Sequence, residues 1–459
     1  MKTPFVVSDL QRLLSENEHD SLRALCSSGH PGLIAEVVAE LDPSEAALVV
    51  AMLEPRRSAE IFGYLPEELQ LELVALLRRR VFAQIISHMS PDERADLLQE
   101  LPPEKREVLL PGLAQAERED IRKLASYREG TTGAVMTSDY TTLSPNLTVE
   151  EAIQKLRREA PDKETIYYTY VVSTDRKLLG FVSLKDLIIA KPVLRVDRIM
   201  HREIIYAHVD DDQEETAQKI ANYDLLALPV INGQGVLVGI VTYDDAIDII
   251  HQEHTEDMEK FMAIGGGHEA EVYMQTSSWG HFKNRCVWIV ILAFLGLVSG
   301  FIVQSFEGLL LQFTILATFM PMLADTGGNT GSQSATLVVR ALAMKEITPS
   351  DLPRVLLKEF FVALPLGLLL ATLAFWRVFL FAGNAKMPEG YSLLALGTAV
   401  GIALGMQVVT STLIGALLPL GAARLRLDPA VVASPALTTI VDITGLFIYF
   451  TIARLLLGI

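Results

Sequence analysis

The hydrophobic pattern of the chain falls into three regimes. In residues 1–130 apolar positions recur at helical spacing in short blocks: LDPSEAALVVAML (41–53), LPEELQLELVALL (65–77), MSPDERADLLQEL (89–101) and LPPEKREVLLPGL (101–113). Each block opens with proline in its first turn, then acids, then the apolar stripe, the order that favours a helix start. Leu41, Leu65 and Met89 stand 24 residues apart. This period predicts short amphipathic helices stacked as an all-α superhelical N-terminal domain, which by itself suggests only an interaction surface.

Residues 131–250 alternate strand-like and helix-like runs, and do so twice. VMTSDYTTLSPNLTVEEAI (135–153) parallels IMHREIIYAHVDDDQEETA (199–217), and YVVSTDRKLLGFVSLKDLI (170–188) parallels PVINGQGVLVGIVTYDDAI (229–247). Gly180 matches Gly239, Val182 matches Val241, and Asp186 matches Asp245. Each copy, 131–197 and 198–250, is expected to run strand, helix, strand, tight turn, strand, helix. A duplicated α/β unit that keeps hydrophobic-Gly-hydrophobic-Val-Ser/Thr-x-x-Asp in both copies resembles a CBS-domain pair. That likeness implies Ser183 with Asp186, and Thr242 with Asp245, as holders of the ribose of an adenine nucleotide such as ATP. The same residues also suit the capping of the helix that follows.

Residues 251–278 begin as a charged helix that Gly265, Gly266 and Gly267 break. Glu253, Glu256 and Asp257 lie at i, i+3 and i+4 and share one face, where they repel unless a cation sits among them; a solvated acidic face is the other reading. From residue 279 onward the apolar runs 287–305, 309–343, 360–382, 392–420 and 430–457 are long enough to cross a bilayer. The resulting expectation is a five-helix transmembrane domain, with the two termini on opposite sides.

Charge sharpens this division. After Arg285 there are eight acids against nine bases, and in residues 1–285 there are 48 acids against 30 bases. An acidic soluble module is thus joined to a nearly uncharged membrane one. The acidity argues against nucleic acid as a partner and suits cations. His281, Lys283, Arg285, Arg340, Lys345, Arg354, Lys358, Arg424 and Arg426 fall on one side of the five spans, which predicts a cytoplasmic N-terminus and an outside C-terminus in an inner cell membrane. The first twenty residues lack the apolar core of a signal peptide. Cys26 and Cys286 lie far apart, and no disulfide is expected.

Inside the membrane region the stretch ADTGGNTGSQS (324–334) interrupts an apolar run, and Asp442 sits in SPALTTIVDITGLFIYF. A carboxylate in a span must meet a polar cavity, a partner or an ion. Gly327, Gly328 and Gly331 admit a close neighbour, while Asn329 and Gln333 offer amides. Pro435, one turn and more before Asp442, is expected to free a backbone carbonyl near Val431. Asp325-Thr326-Gly327 spells the tripeptide of aspartic proteases, but that chemistry needs paired carboxylates on rigid β loops, and the flanks here are helical. Neither a nucleophile–base pair nor a glycine-rich phosphate loop stands in a suitable setting, so an enzyme is not expected.

The assembly resembles the MgtE family of magnesium channels over the whole chain, most specifically in ADTGGNTGSQSATLVVRALA and LDPAVVASPALTTIVDITG. The resemblance implies a homodimer with its pore on the two-fold axis. It implies Asp442 and Asn329 along the path of hydrated Mg2+, with Asp428 at the cytoplasmic mouth. It further implies regulatory Mg2+ held by Glu60, Asp92 and Asp96 of the N-domain, by Asp212, Glu214, Asp224, Asp245 and Asp248 of the repeats, and by Glu253, Glu256 and Asp257 of a connecting "plug" helix. The competing readings are a CBS-gated carrier of another divalent cation such as Mn2+ or Co2+, and a membrane-anchored nucleotide or ion sensor without transport.

Overall fold

The computed structural model describes residues 7–16, 18–102, 105–106, 109–160, 163–262, 264–265, 277–381, 391–430 and 435–458. Two compact units divide it, Met1–Ile250 and His251–Ile459.

The first unit opens with α1 (Val7–Ser15), α2 (His19–Ser28), α3 (Pro31–Ala39), α4 (Pro43–Met52), α5 (Pro55–Gly63), α6 (Glu67–Leu76), α7 (Arg79–Ile86), α8 (Pro91–Glu100) and α9 (Gln115–Leu124). Proline occupies the first turn of α3, α4, α5 and α8, where its missing N–H costs nothing. Their apolar stripes share one core, with Ile34, Val50, Phe62, Leu73 and Phe82 almost fully buried. Leu41, Leu65 and Met89 follow α3, α5 and α7, every second helix, and are buried in it too.

Two small sheets follow. In the first, β1 (Thr142–Leu143) runs parallel to β2 (Tyr168–Val172), which pairs antiparallel with β3 (Leu178–Ser183). In the second, β4 (Ala207–His208), β5 (Ala227–Ile231) and β6 (Leu237–Thr242) repeat that arrangement. Helices α10 (Val149–Glu159), α11 (Leu184–Ile189), α12 (Val196–Ile199), α13 (Gln213–Asn222) and α14 (Tyr243–Phe261) complete the pair. Both copies break register at the same place, after Val171 and after Val230. The shared glycine has a concrete cause. A Cβ on Gly180 would stand 2.6 Å from the His201 carbonyl, and one on Gly239 would stand 3.0 Å from the Thr137 carbonyl. The segment leading into each repeat thus lies on the last strand of the other, bridged at Phe181–His201 and Thr137–Ile240.

The second unit holds α15 (Ser278–Ser305), α16 (Glu307–Gln312), α17 (Met320–Ala343), α18 (Leu352–Phe381), α19 (Leu393–Arg424) and α20 (Pro435–Leu457). Four of the long helices, α15, α18, α19 and α20, are long and apolar enough to cross a membrane. The fifth, α17, carries the polar stretch. The expected single run 309–343 is corrected. Residues 307–319 form α16 and a 3-10 segment, Thr314–Phe319, and α17 begins afresh with Pro321 in its first turn. Leu309, Phe313, Leu316 and Phe319 are buried at that corner, so packing, not length, sets the break. ADTGGNTGSQS is helical throughout. Pro435 starts α20 and does not interrupt it; Val431, whose carbonyl it was expected to free, lies outside the described residues, as do Gly266 and Gly267.

Candidate cation sites

In the soluble unit, the first turn of α8 places Asp92 and Glu93 together, with Asp96 one turn on. Ala95 of α8 and Leu124 of α9 pack into the core of the second repeat. This docking brings the acidic face of α8 toward Asp244 and Asp245, which open α14. Burial, and then the charges of Asp92, Glu67, Asp245 and Glu93, push Asp96 up to about 7. Glu164, in the loop before β2, is pushed to about 7 by burial and by Asp92, Asp245, Asp244 and Glu93. Asp245 reaches about 7 for the same reasons, burial first and Asp92 second. Asp92 and Glu93 are also raised, mainly by burial. The Oδ1 of Asp92 is buried with no hydrogen-bond partner. Carboxylates crowded this way ionise fully only when a cation enters. Among the described residues no three His, Cys, Asp or Glu side chains close on one point as direct ligands. The cluster therefore fits an ion that keeps its waters, as Mg2+ does.

In the membrane unit, α17 has two faces. Gly327, Gly328 and Gly331 are buried against α19 and α20, where a Cβ on Gly331 would meet the Ser411 carbonyl at 3.2 Å and one on Gly328 would meet Thr438 at 3.5 Å. The other face exposes Asp325, Asn329, Gln333 and Thr336, a polar stripe at helical spacing. On the neighbouring α20, Asp442 is half-buried, and its Oδ1 has no hydrogen-bond partner among the described residues. Thr330 and Ser411 share a hydrogen bond of 2.7 Å across the α17–α19 seam.

At the end of α14, Lys260 Nζ lies 2.5 Å from Glu256 and 3.1 Å from Asp428. Burial disfavours the ammonium, but its hydrogen bonds to Glu256 and Asp428 outweigh this and raise its pKa. Burial, and then Asp428, raise the pKa of Asp257.

Comparison with known proteins decides what these sites belong to. Residues 320–452 match the MgtE divalent cation transporter model, residues 29–130 match the MgtE intracellular N domain, and residues 133–192 and 196–252 each match the CBS domain. The magnesium transporter MgtE of Thermus thermophilus is 44% identical over 340 residues, which cover 74% of this chain and 73% of that one. The chain belongs to the MgtE family. The MgtE of Bacillus subtilis is 36% identical over 338 residues, covering 74% and 72% of the two chains. Among solved structures, the ATP-bound cytosolic domain of an MgtE Mg2+ channel superposes with a TM-score of 0.51 at 38% identity, covering 53% of this chain and all of that one. The soluble part of a magnesium transporter gives 0.52 at 33%, covering 54% and 97%. MgtE proteins are transporters, not enzymes.

Within this MgtE chain, the residues expected at sites are placed unevenly. Asp92, Asp96 and Asp245 come together. Glu60 instead pairs with Arg57 at 2.9 Å and with Arg56 at 3.8 Å. Asp212 caps α13 by accepting from the Glu214 backbone at 2.8 Å, and the Glu214 side chain accepts from Gln218 at 2.8 Å. Asp224 sits at a left-handed turn, φ 51°. Asp248 and Glu253 lie further along α14. Ser183 and Asp186 form a reciprocal cap on α11, and at the start of α14 the Thr242 N–H and hydroxyl both donate to the Asp245 carboxylate. His201 Nε2 also stands 3.0 Å from Asp186. Glu93 could have been found from its place beside Asp92. Glu164 could not, because only the tertiary fold brings its loop to α8. Lys260 and Gln407, which is fully buried in α19, are discussed below.

Proposed function

We propose that this MgtE chain passes Mg2+ across a cell membrane along α17 and α20, and that its soluble unit closes the path as cytoplasmic Mg2+ rises. The observation that carries the proposal is the exposed stripe Asp325, Asn329, Gln333 and Thr336 on α17, together with Asp442 on the neighbouring α20, whose Oδ1 has no hydrogen-bond partner among the described residues, in a unit whose four other long helices are apolar enough to cross a membrane. Lipid would not tolerate that stripe. A two-fold axis along it would face two stripes and two Asp442 carboxylates around one aqueous path. The relatives named as magnesium transporters support Mg2+ as the ion. Few carboxylates, with amides and hydroxyls around them, suit an ion that sheds its waters reluctantly.

The homodimer has further support in surfaces left uncovered in one copy. Ile188, Ile189 and Val193 of the first repeat are 70%, 71% and 79% exposed, an apolar patch that calls for a partner. No residue in the apolar window of α15 is fully buried within the chain, which suits lipid or a second copy. The basic residues between α17 and α18, and between α19 and α20, favour a cytoplasmic N-terminus and an outside C-terminus, with α17 as the fifth crossing. The ATP complex of a related cytosolic domain supports an adenine nucleotide at the CBS pair, at Ser183 with Asp186 or Thr242 with Asp245.

Reconstitution in liposomes with a Mg2+ indicator tests the reading. The unaltered chain should pass Mg2+, and Asp442→Ala should pass none while remaining a folded dimer. Normal flux through an incorporated Asp442→Ala would sink the proposal; preference for Mn2+ or Co2+ would redirect it to another divalent cation.

A further inference from the structure

Gln407 is a primary amide in the middle of a membrane-length helix, and it is fully buried. Its Nε2 donates to the Val441 carbonyl at 3.0 Å, the residue just before Asp442. Two glycines make room for it. A Cβ on Gly327 of α17 would run into its amide nitrogen, and one on Gly445 of α20 would stand 2.5 Å from its amide carbon and 2.7 Å from its Oε1. Among the described residues that Oε1 has no hydrogen-bond partner. An amide so placed is costly in an apolar interior, and nearby packing could be satisfied by a leucine.

We propose that Gln407 is a positioning residue for ion passage: clasped between Gly327 and Gly445 and bonded to the Val441 carbonyl, it fixes the rotation and height of α20 against α17, and so the place of Asp442. The inference rests on the reading of α17 and α20 as the lining of the path. In a helix one residue of rotation swings a side chain by about 100°, so a clasp on residue 441 sets where residue 442 points. The glycines that looked like helix-packing residues in the sequence thus have a definite occupant, supplied by a third helix.

Three full-length variants test this in liposomes, beside the unaltered chain. Gln407→Met fills the same space without a donor. Gln407→Glu keeps the shape and, while its buried carboxyl stays protonated, keeps a donor to Val441. Gly445→Ala crowds the amide. A role in packing alone predicts that Met serves as well as Gln. Positioning predicts that Gln407→Met and Gly445→Ala each lose flux about tenfold to a hundredfold, as displaced reacting groups do, with a changed Mg2+ to Co2+ ratio. It further predicts that Gln407→Glu retains more flux at pH 6 than at pH 8 relative to the unaltered chain. Adding Gln407→Ala to Gly445→Ala should not recover flux, because vacating the space still leaves the Val441 carbonyl without its donor. If Gln407→Met failed to assemble, that pair decides: an assembled double variant whose flux recovers overturns the inference. An active parent with an equally active Gln407→Met overturns it alone. An unaltered chain that passes no Mg2+ overturns the path reading, and this inference with it.

Discussion

Asp92, Glu93, Asp96, Glu164 and Asp245 in the soluble unit, and Asp442 in the membrane unit, are all carboxylates held away from bulk water, but their company differs. The first group is crowded by its own kind, with Asp96, Glu164 and Asp245 all pushed to about 7. Asp442 follows Val441, whose carbonyl accepts from the buried Gln407 amide, and its own Oδ1 has no hydrogen-bond partner among the described residues. Crowding stores repulsion that a cation can release, which makes an arrangement sensitive to cation concentration. Isolation gives an ion one weak stop, which it can leave. On the proposed function, one kind of side chain would serve sensing in one region and passage in the other, the difference being set by its neighbours.

The largest effect should come from the seam that isolates Asp442. A Cβ on Gly415 of α19 would collide with the Gly331 carbonyl oxygen of α17 and stand 3.0 Å from the Gly331 carbonyl carbon. Both partners there are backbone, which cannot yield. Gly415→Leu should therefore abolish assembly as well as flux, read by gel filtration in detergent and by liposome uptake. A monodisperse, active Gly415→Leu chain would show that α17 and α19 are not locked at this point.

Legibility in the sequence follows the same division. The helical N-domain, the duplicated strands and the long apolar helices all announced themselves by period, because each buries one regular face. Asp442 was legible because a charge in a span has few innocent explanations. The α19 scaffold was less so. Gly397, Gly401 and Gly405 recur every four residues and receive α18, where a Cβ on Gly401 would stand 2.8 Å from the Ala371 carbonyl. That is the small-residue pattern of close membrane helices, hidden by glycines of other roles on the same helix. Gln407 gave a signal, a buried-length amide, but nothing in the sequence says which helix it touches. Glu164 gave none.

Protons should mimic cations in the crowded region and so separate it from the membrane one. Folded values near 7 for Asp96, Glu164 and Asp245 lie above the ordinary 3.8, 4.5 and 3.8. Raised carboxyls bind protons more tightly when assembled. Their stabilising contribution is full below about pH 4 and is lost as pH climbs through about 7. Without divalent ions, protease resistance of residues 7–250 in the intact chain should fall between about pH 5 and pH 8. Millimolar Mg2+, but not a monovalent salt of equal ionic strength, should flatten that dependence. Resistance that is independent of pH and Mg2+ would mean the cluster is merely solvated.

The smallest effect should come from Lys260, where the two kinds of site meet. Its ammonium joins Glu256 to Asp428 and supplies a fixed positive charge beside Asp257. It holds the last turns of α14 to the expected mouth without any added ion. The side chains of Lys260 and Asp428 are 26% and 34% exposed, so solvent screens the pair and its worth is about 1 kcal/mol or less. Lys260→Met removes that tether and the positive charge beside Asp257 and Asp428. Mg2+ then has to supply all of the closure. Flux at low cytoplasmic Mg2+ should rise by up to about fivefold, the factor that 1 kcal/mol allows. Flux at high Mg2+ and the ion ranking should stay as they were, because Asp442 and Asn329 are untouched. Equal flux in both chains at low Mg2+ would show that the tether does not hold the mouth, and closure would then rest on the divalent ion alone.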